Sequence, residues 1–186
     1  MATLTYVTNV SLDGYIEDEH DNVDWGTTDD EYFAFITDLV RPVGTYLYGR
    51  RLYETMAVWE TEPALPATSR LMADFADVWR KADKVVYSTT LDTVSTTNTR
   101  LEDAFDAARV RDMKASATSD LTVGGAHLAA QALRAGLVDE CHLLIHPVLL
   151  GAGKPALPGG TRTDLELLDD RRLSGGVMYL RYRTAT

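Results

Sequence analysis

The sequence predicts an α/β domain with a mostly parallel central sheet, helices on both faces and an antiparallel C-terminal hairpin at the edge. Segments typical of strands alternate with segments typical of helices, which is the pattern of a parallel sheet with crossover helices. The final segment, residues 165–183, contains Gly175-Gly176, as a hairpin turn would. The length of 186 residues suits one domain, and no repeat or linker divides residues 1–186.

The chain is predicted to begin with a strand, a turn and a helix. Residues 3–10 are rich in β-branched and aromatic residues, and Asp13-Gly14 is a strong turn signal. Thr28-Asp29-Asp30-Glu31 has the pattern of a capping box, after which Phe33, Ile36 and Val40 recur at helical spacing. A helix is therefore predicted to start near Asp29.

The middle of the chain continues the alternation. Its short β-branched and aromatic runs predict strands over residues 45–48, 84–88 and 93–97. Helices are predicted over residues 50–59, 68–82 and 102–115, the second of them clearly amphipathic.

The last third adds a strand that ends in a glycine pair, a helix and a long apolar strand. These are residues 120–125, 126–136 and 139–150. Gly136 is expected to terminate the helix, because glycine adopts the left-handed conformation that commonly follows a helix.

Charge and composition exclude several classes of protein. The net charge is −10, and residues 1–40 hold ten acidic residues and no Lys or Arg. Such a chain repels nucleic acid. No apolar stretch approaches the roughly 20 residues of a membrane span, and no signal peptide is visible. With Cys141 as the single cysteine, no intramolecular disulfide can form, and a cytoplasmic protein is expected.

Three places share one local pattern, in which a strand leads through glycine or small polar residues into a helix. They are Tyr48-Gly49-Arg50-Arg51, Tyr87-Ser88-Thr89-Thr90 and Val123-Gly124-Gly125-Ala126. A helix N-terminus offers free N–H donors and a positive dipole end to an anion. Because such strand ends share one edge of a parallel sheet, the three suggest a ligand with several phosphates, such as a dinucleotide. Each alone could equally be a tight turn.

Other sites are weakly supported. The sequence lacks G-x-G-x-x-G, and Gly151-Ala152-Gly153-Lys154 departs from a P-loop at its first glycine and its final hydroxyl. His142 and His146 would share one strand face but have no carboxylate motif beside them, so no metal site is predicted. Cys141 is expected to be a packed core thiol.

The chain resembles the C-terminal reductase domain of the bacterial bifunctional riboflavin-biosynthesis deaminase/reductase, within the dihydrofolate reductase-like fold. The resemblance is carried by TNVSLDGYI, by YLYGRRLYE and by the segment from VGGAHLAAQALRAGLVDE to PVLLGAGKPAL. It implies an eight-stranded, mostly parallel sheet, NADPH as hydride donor, and a homodimer. The family's hydroxyl in G-R-x-T is Leu52 here, Leu144 replaces a strand threonine that supports pterin recognition, and Ala129 replaces an aromatic residue a turn beyond the glycine pair. These differences argue against folate reduction.

The resemblance also implies which residues hold the cofactor. Gly49, Arg50 and Arg51 match a segment that binds its phosphates, and Ser88 and Thr89 match the corner near the adenosine 2′-phosphate. The pyrophosphate turn is matched by Gly124, Gly125, Ala126, His127 and Leu128. Asn9 and Ile16 match positions that flank the nicotinamide.

The expected function is NADPH-dependent hydride transfer to a pteridine- or pyrimidine-like heterocycle or a sugar imine. Asp30 is the first candidate for the catalytic acid, although it could simply favour the helix N-terminus; Asp13 is the second, although it could simply form the turn. One alternative is reduction of 5-amino-6-(5-phosphoribosylamino)uracil in riboflavin biosynthesis. The other is a nucleotide-binding module without catalysis.

Overall fold

The computed structural model describes residues 2–26, 28–160 and 162–185. Its strands are β1 (Leu4–Ser11), β2 (Tyr15–Glu17), β3 (Val43–Gly49), β4 (Asp83–Tyr87), β5 (Thr99–Glu102), β6 (Asp120–Gly124), β7 (Glu140–His146), β8 (Lys154–Pro155), β9 (Leu165–Arg172) and β10 (Met178–Thr184). Its helices are α1 (Asp30–Val40), α2 (Arg50–Thr61), α3 (Arg70–Lys81), α4 (Ala107–Ser116) and α5 (Ala126–Arg134).

The main sheet has eight strands in the order β5-β4-β3-β6-β1-β7-β10-β9. The strands from β5 to β7 are all parallel, and β10 and β9 add an antiparallel edge. A separate two-stranded sheet joins β2 to β8. The predicted mostly parallel sheet and its C-terminal hairpin edge are confirmed.

Helices cover both faces of the sheet, as predicted. On one face Tyr46 packs in a cluster with residues of α1, α2 and α3, including Phe75 and Trp79. On the other face the adjacent Leu47 packs with α4 and α5. The alternation from Tyr46 to Leu47 follows from the period of two in a strand, so β3 is buried on both sides.

The predicted end of α5 is confirmed, but the predicted capping box at the start of α1 is not formed. Asp29, rather than Thr28, caps α1, because its side chain accepts from Tyr32 N at 3.0 Å. Glu31 does not complete a capping box; its carboxylate accepts from Ser174 N at 3.1 Å. Gly136 follows α5 with a φ of +63°, which confirms its predicted role.

One predicted strand and two predicted element boundaries are wrong. Residues 93–97 form no strand, and the strand beside β4 is β5, a few residues later. The helix predicted over 102–115 starts only after its cap, Asp106, because Glu102 still pairs in β5. The strand predicted to reach residue 150 ends at His146, since Pro147 has no N–H for the ladder.

None of the helices in the described part of the chain is long and apolar enough to span a membrane.

Candidate cofactor and substrate site

The three predicted corners lie side by side at one edge of the sheet. Gly49 at the end of β3 is in register with Tyr87 at the end of β4, and Tyr48 is in register with Gly124 at the end of β6. Residues 48–51, 87–90 and 123–126 therefore form one continuous rim, which we call the phosphate rim. Adjacency of this kind follows from parallel pairing, since all carboxyl ends meet at one edge.

Two helices start at the phosphate rim without a side-chain cap. Gly49 precedes α2 and Gly125 precedes α5, and no described side chain accepts from the first N–H groups of either helix. By contrast, α1, α3 and α4 are capped by Asp29, Ser69 and Asp106. The rim thus presents free donors at the positive ends of two helix dipoles, where a phosphate would be stabilised.

Each of the three rim glycines differs in what a side chain at its position would meet or require. A Cβ at Gly49 would meet no atom within 4 Å, so open space lies in front of the backbone there. Gly125 has a φ of +89°, a conformation that favours glycine. A Cβ at Gly124 would overlap the side chain of Leu52 and approach Tyr48 to 3.1 Å. The side chain of Leu52 thus packs over Gly124.

The two arginines of the rim are exposed and paired with neighbouring side chains. Arg50 donates to Thr90 Oγ1 at 3.0 Å and lies 3.5 Å from Glu54. Arg51 lies 3.2 Å from Asp21 and 3.6 Å from Glu17. Exposed ion pairs contribute about 0–1 kcal/mol each, so either arginine can exchange its carboxylate for a phosphate at small cost.

The remaining predicted rim residues differ in which of their groups are accessible to a ligand. Ser88 Oγ accepts from Thr90 N and Leu91 N at 3.1 and 3.0 Å, which shapes the turn, while Thr89 is exposed. His127 is exposed on the first turn of α5. The side chains of Ala126 and Leu128 are buried, so these two residues can reach a ligand only through their backbone N–H groups.

A cavity of about 280 Å³ opens beside the rim, between the sheet and helices α1, α2 and α3. Its walls are mainly aromatic and aliphatic, and Gly124 and Leu52 connect it to the rim. The apolar lining includes Phe33, Ile36, Met56, Trp59, Phe75 and Leu144. Tyr46 and Tyr48 stand at its sheet side. A concave apolar site with few polar groups is the usual form of a small-molecule site.

A polar cluster stands at the β1 side of the cavity. Asn9 Oδ1 accepts from the Tyr32 hydroxyl at 3.0 Å and lies 3.1 Å from His146 Nε2, which donates in the Nε2-protonated tautomer. Trp25 packs edge-on against His146, with ring centroids 5.5 Å apart. Burial lowers the pKa of His146, so the ring is neutral at pH 7. Asn9 lines the cavity, and because its oxygen is occupied, its amide nitrogen is the group left to donate a hydrogen bond.

Sequence reasoning included Asn9 but missed Tyr32, Trp25 and His146. The signal available was the spacing of His142 and His146 on one strand face. Only His146 reaches the cluster; His142 is held by Glu140 at 3.1 Å and by the Tyr179 hydroxyl at 2.8 Å. Ile16 packs beside the cluster of Val10, Leu143 and Ala156 and is not among the residues that line the cavity.

The two candidate acids are not brought to the cavity lining. Asp13 accepts from Ser11 Oγ at 2.6 Å, from Leu150 N at 3.1 Å and from Gly151 N at 2.7 Å. These bonds, the Ser11 bond most of all, lower the pKa of Asp13, which favours its turn-forming role. Asp30 is exposed on the first turn of α1. Its role as an acid stays a prediction.

The described residues include no group of three or more His, Cys, Asp or Glu side chains that could hold a metal. Cys141 is buried, as expected of a core thiol, and burial raises its pKa to about 11.

Comparison with known proteins identifies relatives of the whole chain. The model of the family described as the RibD C-terminal domain matches residues 2–179. An uncharacterized protein of Bacillus subtilis, YyaP, is 30% identical over 178 residues, covering 93% of this chain and 90% of its own.

Solved structures share the fold. A putative riboflavin biosynthesis protein from Shewanella superposes with a TM-score of 0.78 over all of both chains, at 18% identity. A Thermotoga maritima diaminohydroxyphosphoribosylaminopyrimidine deaminase/5-amino-6-(5-phosphoribosylamino)uracil reductase superposes with a TM-score of 0.66, at 15% identity. The match covers 99% of this chain and 57% of that bifunctional one.

Proposed function

Because the chain belongs to the family of the RibD C-terminal domain, we propose that it is an NADPH-dependent reductase that transfers hydride to a pteridine- or pyrimidine-like heterocycle or a sugar imine. The observation that carries the proposal is the pair of uncapped helix starts, Gly49 before α2 and Gly125 before α5, on neighbouring strands beside an apolar cavity. Two anion sites next to a ring-sized cavity suit a dinucleotide better than a single phosphate.

The residues present fit a nicotinamide dinucleotide. The backbone N–H groups of Ala126, His127 and Leu128 would hold one phosphate, and those at the start of α2 another. Arg50 and Arg51 would add charge-assisted hydrogen bonds, and Ser88 and Thr89 stand where the 2′-phosphate is expected. When bound, the cofactor supplies a hydride for an electron-poor C=N or C=O carbon.

The other residues orient the reacting ring and exclude water. Asn9 and Tyr32 present an amide and a hydroxyl to a ring in the cavity, and Phe33 and Trp59 shield it from solvent. After hydride arrives at carbon, the substrate's nitrogen or oxygen takes up a proton. Asp30 in its protonated form is proposed as the source; solvent would relay the proton, because this side chain is exposed, and the resulting carboxylate would be reprotonated from solvent.

The cofactor proposal is tested by thermal-shift titration with NADPH and with NADH. A ligand at 100 times its dissociation constant adds about 2.7 kcal/mol to the free energy of unfolding. The double variant Arg50→Ala/Arg51→Ala should weaken NADPH at least tenfold. Its control is Arg183→Ala, which removes an exposed arginine paired with Glu166 far from the rim. No shift with either nucleotide at millimolar concentration would refute the proposal.

The role of Asp30 has its own test. Asp30→Asn should abolish turnover and leave the dissociation constant of NADPH unchanged. Unchanged turnover would remove Asp30 from the mechanism, and the absence of turnover in the wild-type chain, with NADPH bound, would favour a nucleotide-binding module.

A further inference from the structure

We propose that the substrate of this chain is uncharged: a small neutral heterocycle that carries neither a phosphate nor a carboxylate. This inference rests on the proposed function, since it concerns the cavity beside the phosphate rim. It separates this chain from any enzyme that reduces a phosphoribosyl compound.

The lining of the cavity carries the inference. Every described residue that lines it is apolar or neutral, and the hydrogen-bonding side-chain groups among them are hydroxyls, one amide and the indole N–H of Trp59. Thr8, Asn9, Thr28 and Tyr32 supply these groups on the β1 and α1 side. A charged group that enters such a site loses its hydration and finds no opposite charge, which is strongly unfavourable.

The segment that leads to the cavity adds repulsion for anions. Residues 18–31 carry seven acidic residues and no Lys or Arg. Thr28 in this segment lines the cavity and is itself exposed. Three acids follow it directly: Asp29 and Glu31 accept from Ser174, and Asp30 between them is exposed. An anionic substrate would therefore approach against a negative potential.

The arginines that could bind a substrate phosphate lie elsewhere. Arg50 and Arg51 belong to the phosphate rim, where the cofactor would use them. Arg100 lines a different cavity, between β5 and α4, and lies 3.5 Å from Glu102. Arg162 pairs with Asp164 just before β9, which is the opposite edge strand of the sheet.

The size of the cavity agrees with a small ring system. Its volume of about 280 Å³ falls just below the roughly 300–1,000 Å³ of sites for drug-sized ligands. The site is thus suited to one or two fused rings without a ribose phosphate tail.

The test compares two probes that differ chiefly in charge, 6-methylpterin and pterin-6-carboxylate. Their dissociation constants are measured by titration calorimetry with the full chain without cofactor, because the nicotinamide ring of NADP⁺ carries a positive charge that would itself attract the carboxylate. We expect 6-methylpterin to bind at least tenfold more tightly. Thr28→Lys places a cation at the cavity and should reduce this preference at least threefold. Thr163→Lys, an exposed position before β9, makes the same change in net charge far from the cavity and should leave the preference unchanged.

A second pair of probes tests the phosphate directly. The nucleoside 5-amino-6-ribosylaminouracil and its 5′-phosphate are compared in the same way, and the phosphate should bind at least tenfold more weakly. Equal binding within either pair, tighter binding of either charged probe, or failure of both pterins to bind would overturn the inference.

The result is separable from that of the cofactor proposal. NADPH binding combined with a preference for the charged probes would overturn the substrate class and leave the cofactor assignment intact. If neither NADPH nor NADH gives a thermal shift, a preference for the neutral probes would support the substrate class, while the cofactor assignment would be overturned.

Discussion

The same mutation, tyrosine to phenylalanine, should change the stability of the fold in opposite directions at two neighbouring tyrosines of β3. Tyr46 and Tyr48 are 3% and 4% exposed, and their rings stack with centroids 5.3 Å apart. The Tyr48 hydroxyl accepts from Trp79 Nε1 at 3.2 Å. The Tyr46 hydroxyl is buried and has no hydrogen-bond partner in the described part of the structure. Replacement of each by phenylalanine removes one hydroxyl from nearly the same environment.

The expected free energies differ in sign. Tyr48→Phe leaves the indole N–H of Trp79, which is 0% exposed, without an acceptor, and an unpaired buried donor costs about 1–3 kcal/mol. Tyr46→Phe removes a hydroxyl that is desolvated without compensation, so it should stabilise the fold by about 1 kcal/mol. The two variants should therefore differ by about 3 kcal/mol in the free energy of unfolding, on these same magnitudes.

Urea and thermal denaturation at pH 7, followed by tryptophan fluorescence and circular dichroism, measure both changes. For a chain of this size, 1 kcal/mol corresponds to about 2–4 °C in melting temperature. Tyr48→Phe should thus melt several degrees below wild type and Tyr46→Phe a few degrees above it. If both variants lose the same stability, the Tyr46 hydroxyl is hydrogen-bonded in solution and the reasoning is refuted.

Three further predictions concern a turn, a buried histidine and an exposed leucine. Asp13→Ala removes the acceptor of the Leu150 and Gly151 N–H groups and should lower the urea midpoint; an unchanged midpoint would contradict this. Burial lowers the pKa of His146 from 6.5. The stabilisation of the fold that depends on a neutral His146 is therefore complete above pH 6.5 and is lost as the pH falls through the lowered pKa. His146→Gln should flatten the decline in urea midpoint between pH 7 and pH 5, and an equally steep decline would exclude His146 as its source. The resemblance implies a homodimer, and Leu149 is 70% exposed; if the dimer covers it, Leu149→Asp should give monomers by light scattering, whereas an unchanged mass would place the interface elsewhere.

The local parts of the site could be predicted from sequence. A strand, one or two glycines and a helix start are contiguous in the chain, so the corners at Gly49 and Gly125 were visible without any tertiary information. Their adjacency needed only the assumption of parallel strands. The same local signals placed the end of α5 at Gly136 and the start of α1 near Asp29.

The parts that depend on distant contacts could not be predicted. Asn9, Tyr32 and His146 meet across three elements, and Asn9 and His146 are 137 residues apart. No periodicity encodes such a meeting. The position of β5 was missed for a related reason, since the short edge strand Thr99–Glu102 is defined by its pairing with β4 and has an ordinary polar composition.

The place of β1 in the sheet has a consequence for how the chain folds as it is synthesised. β1 lies between β6 and β7, and its Thr5 hydroxyl binds the carbonyl of Leu121, 116 residues later. Both neighbours of the first strand therefore leave the ribosome long after it does. Until then an apolar strand with two unpaired edges stays exposed, a state prone to aggregation. We expect nascent chains that stop before β6 to require chaperones, and folding to be slow, because its key contacts are non-local.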